Sequence, residues 1–214
     1  MNDENSDAMP VVELSENGPY IVKNLTMLNN SKGEDIPAKA VIALCRCGAS
    51  GNKPFCDGAH NKIGFQSKNE ADASKDKRDT YVGSKITIHD NRALCAHAGI
   101  CTDGLPSVWR MKHEPWIDPD GAGVDAIIDI VNRCPSGALS YSIDGVEKGV
   151  APARPTVTVL KDGPYHVAGG IGLDVSRNEG ASKESYALCR CGASKNKPFC
   201  DGTHWSVNFT DDAN

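Results

Sequence analysis

Two segments of this chain are near copies of one another. Residues 43–60, ALCRCGASGNKPFCDGAH, return at 187–204 as ALCRCGASKNKPFCDGTH, differing only at Gly51/Lys195 and Ala59/Thr203. Each copy carries three cysteines and a histidine in the order C-x-C-x8-C-x3-H: Cys45, Cys47, Cys56 and His60, then Cys189, Cys191, Cys200 and His204. No other feature constrains the fold as tightly, because each copy must bring four sulfur and nitrogen donors together. Residues two apart on an extended chain point to one face, so Cys45 and Cys47 can clamp one metal from the same side. Residues four apart on a helix also share a face, so Cys56 and His60 can grip a second metal if Pro54 leads into a helical turn. Two pairs on two adjacent metals suit a binuclear cluster better than one ion. Structural zinc also takes Cys3His sets, but with C-x2-4-C pairs, which C-x-C fits poorly. Disulfides are the weaker alternative, since nine cysteines is an odd number and no signal peptide points to an oxidising compartment.

The fuller pattern is C-x-C-x2-S-x3-P-x-C-D-G-x-H. It is filled by Cys45, Cys47, Ser50, Pro54, Cys56, Asp57, Gly58 and His60, and again by Cys189, Cys191, Ser194, Pro198, Cys200, Asp201, Gly202 and His204. On these residues the chain resembles the CDGSH iron–sulfur domain (NEET-like) family. The resemblance implies a 2Fe–2S cluster held by three cysteines and one histidine in each motif, hence two such clusters. The family's usual serine before the histidine is Ala59 in one copy and Thr203 in the other. It is not a ligand in the family, so the assignment stands, while any hydroxyl hydrogen bond is lost at Ala59. Family protomers intertwine as dimers of small strands. Two copies in one chain therefore imply an internal pseudo-dimer in a monomer, with two independent beads as the alternative.

The similarity reaches beyond the ligands. Strands are expected at 11–14 and 20–22 around the turn Asn17-Gly18-Pro19, and at 156–160 and 165–167 around Asp162-Gly163-Pro164. Residues 24–39 read as polar and turn-rich, residues 40–44 as a short strand feeding Cys45. Phe65 and Phe209 are expected to close each unit with a ring. The domains expected are a disordered leader 1–9, a first repeat 10–67, a charged linker 68–79, a middle unit 80–144, a linker 145–155 and a second repeat 156–214. With 39% hydrophobic and 6% aromatic residues, each small unit is lean in core and gains from a metal staple. A net charge of −5 argues against nucleic acid or an anionic membrane as main partners. No apolar run approaches the roughly 20 residues of a membrane span. The start MNDENSDAMP lacks the marks of a signal or transit peptide, so a cytoplasmic setting is expected.

The middle unit holds the other cysteines: Cys95, Cys101 and Cys134, the last followed by Pro135. A cubane ferredoxin site reads C-x2-C-x2-C with a distant C-P. Laying Cys95 and Cys101 on the first and third positions puts Ala98 where the second cysteine belongs. With its Gly104–Trp109 and Pro115–Ile117 text and an apolar helix expected at 123–131, the unit resembles the divergent single-cluster ferredoxins. The fold class expected is therefore α+β: two β-rich CDGSH units and a ferredoxin-like α+β middle domain. Three readings are open for the middle site. Three thiolates can hold a 3Fe–4S cluster; His97 can swing in as a fourth ligand to a 4Fe–4S cluster; or the unit keeps free thiols. His89 and His113 read as loop histidines, His166 as a structural strand residue without a partner. Trp109 and Trp116 read as cluster shields or as plain core.

Histidine in place of cysteine removes a negative charge. Two histidines lift potentials from roughly −400 mV to between −150 and +300 mV in Rieske centres, so one is expected to give an intermediate value. A protonated imidazole cannot ligate, which makes such a cluster acid-labile from its ordinary pKa of about 6.5. Function is then single-electron transfer to a redox partner protein. The alternatives are storage and transfer of 2Fe–2S clusters to an apo iron–sulfur acceptor, or redox and pH sensing. An enzyme is not expected: there is no Ser-His-Asp set, P-loop or G-x-G-x-x-G fingerprint. Lys195 opposite Gly51 predicts a small split in potential between the repeats.

Overall fold

The computed structural model describes residues 8–148, 153–175 and 180–211. Most of the leader expected at 1–9, and residues 149–152 of the expected linker, lie outside the described residues. The chain opens with strands β1 (Val11–Leu14) and β2 (Tyr20–Lys23), then β3 (Leu28–Asn29), β4 (Val41–Leu44) and one helical turn, α1 (Ala59–Lys62). The middle unit follows with β5 (Arg78–Val82), β6 (Thr87–Asn91), α2 (Ile100–Gly104), α3 (Val124–Asn132), β7 (Leu139–Ile143) and β8 (Val146–Lys148). The second repeat supplies β9 (Thr156–Val159), β10 (Tyr165–Ala168), β11 (Gly172–Leu173), β12 (Ser185–Leu188) and α4 (Thr203–Ser206). The expected hairpins are present, with Asn17 (φ 49) and Asp162 (φ 49) turning them through the left-handed region that Asn and Asp tolerate.

Each repeat completes the other's sheet. The strand orders are β11-β1-β2-β4 and β12-β10-β9-β3, so each four-stranded sheet takes its edge strand from the opposite half. Val11 and Val12 run parallel to Gly172 and Leu173, while Leu28 and Asn29 run parallel to Val157 and Thr158. β3 lies inside the stretch read as turn-rich. A strand of two residues has no period to detect, and only its partner in the other repeat makes it one.

The core is equally shared. Val12, Leu28 and Leu44 pack in one cluster with Val157, Ile171 and Leu188, and Tyr20 and Tyr165 meet edge to face at its centre, 6.1 Å apart. Neither lean half could enclose such a core alone. This is the internal pseudo-dimer.

In the middle unit β5, β6, β7 and β8 form an antiparallel sheet. Ile127, Ile130 and Val131 share one face of α3 and pack with Ile88, Ile117, Leu139 and the fully buried Trp109. Trp109 is therefore core, whereas Trp116 is half-buried beneath the Arg92 guanidinium, 4.7 Å from its ring centre. His89 sits in β6 rather than a loop, bridged to Thr80 Oγ1 (3.1 Å) and Ser142 Oγ (2.7 Å). His166 in β10 does have a partner, the Ser185 hydroxyl at 3.0 Å. His113 is exposed in a turn.

The middle unit is seated on the second repeat. Asn196 Nδ2 donates to the Ala93 carbonyl (2.7 Å) and Ser185 Oγ to the Pro135 carbonyl (3.3 Å). The consequence shows in two equivalent strands: β4 buries alternate residues, but β12 buries all four.

Candidate iron–sulfur sites

In the first repeat β4 delivers Cys45, and the loop is pinned back on the strand. Cys45 N–H donates to the Pro54 carbonyl and Cys56 N–H to the Ala43 carbonyl, both at 2.8 Å. The Ser50 hydroxyl donates to the Phe55 carbonyl (2.7 Å) and accepts from Asn52 N–H (3.0 Å). Asp57 accepts from the Gly51 and Ala59 amides at 2.8 and 3.0 Å, which holds its carboxyl below the usual range. The second repeat repeats these bonds with Pro198, Ala187, Ser194 and Asp201. Burial pushes Asp201 up, but the side-chain and backbone donors of Thr203 and Lys195 N–H keep it low. The backbone amide at position 59 or 203 thus serves in both copies, which explains why Ala59 is tolerated.

The donors stand in pairs. Cys45 and Cys47 sulfurs lie 3.7 Å apart, and Cys56 Sγ lies 3.4 Å from His60 Nδ1. In the second repeat the distances are 3.8 Å for Cys189 and Cys191 and 3.4 Å for Cys200 and His204. The pairing is not quite by the expected route. The helical turn begins only at Ala59, after Gly58 at φ 87, so Cys56 lies on the loop ahead of it. Among the described residues no three donors converge on a point that one ion would occupy. Two pairs per loop fit two adjacent irons and fit a single zinc poorly. All nine cysteines are free thiols, available as ligands.

Two pairs of residues around the donors, the arginines and the tyrosines, were not singled out by sequence. Arg46, between its two cysteines, points to the opposite face as strand alternation requires. It is buried, donates to the Gly18 and Ser15 carbonyls (2.7 Å each) and lies over Tyr20 and Phe65. Arg190 does the same with Gly163, Leu160, Tyr165 and Phe209, and also pairs with Asp211. Both phenylalanines thus close their units, each against an arginine. The tyrosines cross over: Tyr20 Oη lies 2.9 and 3.0 Å from the Cys189 and Pro198 carbonyls, Tyr165 Oη 2.8 and 3.0 Å from those of Cys45 and Pro54. Burial pushes both hydroxyls well up, so they remain donors. The signal was present in the identical Leu-Cys-Arg-Cys-Gly and Gly-Pro-Tyr text of both repeats, but not the crossing.

Protonation differs between sulfurs. Burial pushes the Cys47 thiol up, and Cys200 up to about 12. The hydrogen bond between Cys189 and Cys191 pushes the first up and draws the second down to about 6. Metal binding must displace the remaining protons. Burial pushes the His204 pKa down, which favours the neutral, ligating form.

The middle unit brings its three cysteines to one cavity. Cys95 follows the turn Arg92–Leu94, Cys101 sits in α2 and Cys134 follows α3, and all three line it with His97 and Ala98. Burial pushes Cys95 up and Cys101 up to about 11. His97 turns at φ 54, its amide donates to Cys95 Sγ (3.4 Å), and its ring lies against Gly202 of the second repeat. Outside Cys95 and Cys101 opens a cleft of about 700 Å³ carrying Arg92, Arg110 and Trp116. No helix among the described residues is long and apolar enough to cross a membrane.

Comparison with known proteins agrees with this geometry. The family described as iron-binding zinc finger, CDGSH type, matches residues 17–61 and 162–205. The family described as divergent 4Fe-4S mono-cluster matches residues 81–144 between them. The uncharacterized protein YjdI of Escherichia coli K12 is 41% identical over 61 residues, which are 28% of this chain and 80% of that protein. YjdI of Escherichia coli O157:H7 gives the same figures. The paired donors, the crossed tyrosines and these matches together place the chain in the CDGSH-type iron-binding family, as an iron–sulfur-binding protein whose two CDGSH units flank a divergent mono-cluster ferredoxin unit.

Proposed function

We propose that the protein is a carrier of single electrons. Cys45, Cys47, Cys56 and His60 would hold one 2Fe–2S cluster, Cys189, Cys191, Cys200 and His204 a second, and Cys95, Cys101 and Cys134 a 3Fe–4S cluster. Bound there, the clusters would supply one-electron redox chemistry. The observation that carries this reading is the hydrogen bonding that fastens the donor loops. Each is pinned by its own backbone and by a tyrosine from the opposite repeat, so the residues hold their positions whatever charge the site carries. His97 spends its amide on Cys95 and its ring on Gly202, which supports three thiolate ligands over a 4Fe–4S cluster completed by His97.

Storage and transfer of 2Fe–2S clusters to an apo-acceptor is the second reading. It is favoured by Cys56 and His60, which stay half-buried at the edge of the first repeat. In either case the partner is another protein, the chain acts as a monomer without catalysis, and nine free thiols suit a reducing, cytoplasmic setting.

The test is iron and sulfide per chain on anaerobically purified protein, with EPR of oxidised and reduced forms. About seven irons with an oxidised-state signal are expected; about eight with none would favour His97 as a ligand, and about four would leave the middle site empty. Zinc in place of iron would overturn the reading.

A further inference from the structure

The two CDGSH loops have almost the same sequence and donor distances, so any difference between them comes from what surrounds them. Cys200 is 3% and His204 4% exposed, while Cys56 and His60 are half-buried. The cover is the middle unit. A Cβ at Gly202 would stand 2.7 Å from His97 Cδ2, so that ring rests on the Cys-Asp-Gly-x-His backbone itself. Ala96 packs with Ala187 and Cys200. Trp205, where the first repeat has Asn61, sets its ring 5.1 Å from that of His204 and donates from Nε1 to the His97 carbonyl (3.3 Å). His97 therefore reaches both ways: its amide is on Cys95 of the three-cysteine site, its ring and carbonyl on the second repeat.

We infer that the two CDGSH sites are specialised: the second is an internal site joined to the three-cysteine site through His97, and the first is the one left open to a protein partner. His97 is a positioning residue in this scheme, not a ligand. The inference rests on clusters occupying all three sites as proposed above. It adds that near-identical motifs are functionally unequal.

The test uses the full chain, purified anaerobically, after iron and sulfide have been measured. Excess ferrous chelator (bathophenanthroline) is added, and the loss of each CDGSH cluster is followed by EPR on reduced, timed samples. Two phases are expected, the slower by at least about tenfold, because a covered site exchanges only through local opening. Cys56→Ala should delete the fast phase and Cys200→Ala the slow one. His97→Gly combined with Trp205→Asn should bring the slow phase close to the fast one and leave the fast one unchanged; glycine accepts φ 54, and asparagine is the residue of the first repeat.

A second arm needs no altered interface. On power saturation of the reduced protein, one CDGSH signal should relax faster through the nearby middle centre. That enhancement should survive Cys56→Ala and vanish in Cys101→Ala. A single release phase, a slow phase assigned to the first repeat, or equal relaxation of both signals would overturn the inference. A chain without iron would instead defeat the proposed function, so the two failures are distinguishable.

Discussion

The first and second CDGSH repeats are the same local machine in different surroundings. Their cysteine pairs stand 3.7 and 3.8 Å apart and their Cys–His pairs 3.4 Å in both. Yet Cys200 and His204 are buried while Cys56 and His60 are half-buried, and β12 is covered on both faces while β4 is not. Their arginines differ too. Arg46 ends on carbonyls alone, whereas Arg190 adds a buried carboxylate, Asp211. Donor geometry is thus set within the loop, and burial is set by which neighbour lies over it.

The largest break in this comparison should come from Asp211→Ala. It strands the wholly buried Arg190, so denaturant melts should show a loss of about 3–5 kcal/mol. At the equivalent position of the first repeat Ser67→Ala should cost under about 1 kcal/mol, since it removes only the half-buried hydroxyl bonds with Asn17 and keeps the one from Ser67 N–H to Asn17 Oδ1. Equal losses would mean that the two arginines are equally supported.

Tyr165→Phe comes next. It leaves the Cys45 and Pro54 carbonyls without their crossed donor and should cost about 1–3 kcal/mol. The damage should appear as faster cluster loss from the first repeat, although the substitution lies in the second. Tyr20→Phe should do the reverse.

Gly202→Ala against Gly58→Ala sharpens the comparison further. Both glycines have φ above +80, so each alanine pays about 1 kcal/mol for the left-handed backbone. Only at Gly202 does the added methyl meet His97, and it should cost about 1 kcal/mol more there. Matched melts of the two variants would show that the middle unit does not press on the second repeat.

Asp90 tests the covering unit itself. Both its carboxylate oxygens are buried without a hydrogen-bond partner, Arg92 is 3.9 Å away, and burial pushes its pKa up to about 7. An unfolded aspartate titrates near 3.9, so between these values the folded state holds the extra proton and stability falls as pH rises. Between pH 6 and 8 the loss should be roughly 1 kcal/mol, and Asp90→Asn should remove it. The slope should be seen in the melting of the middle unit and of the second-repeat site, not the first.

The smallest effect is electrostatic. Lys195 is exposed opposite Gly51, and Lys195→Gly should lower only the second repeat's reduction potential, more at low salt than at high. A redox titration with both potentials unmoved would remove charge as a source of their difference.

Much of this protein was legible in its sequence because the relevant information is local. The pairing of the cysteines and histidines in each loop, the duplicated hairpins, the closing Phe65 and Phe209 and the helix before Cys134 all follow from spacing, turn residues and apolar period. The tertiary structure alone decided the rest. It exchanged β3 and β11 between halves, sent Tyr20 and Tyr165 across to the opposite loops, placed His89 in a strand, and laid His97 on Gly202 but not on Gly58. The physical reason is that a motif's covalent spacing determines which atoms can meet within it, whereas its burial depends on distant surfaces that need somewhere to pack. Two lean halves had to pool one core, and the inserted unit could close over only one of two otherwise matching sites.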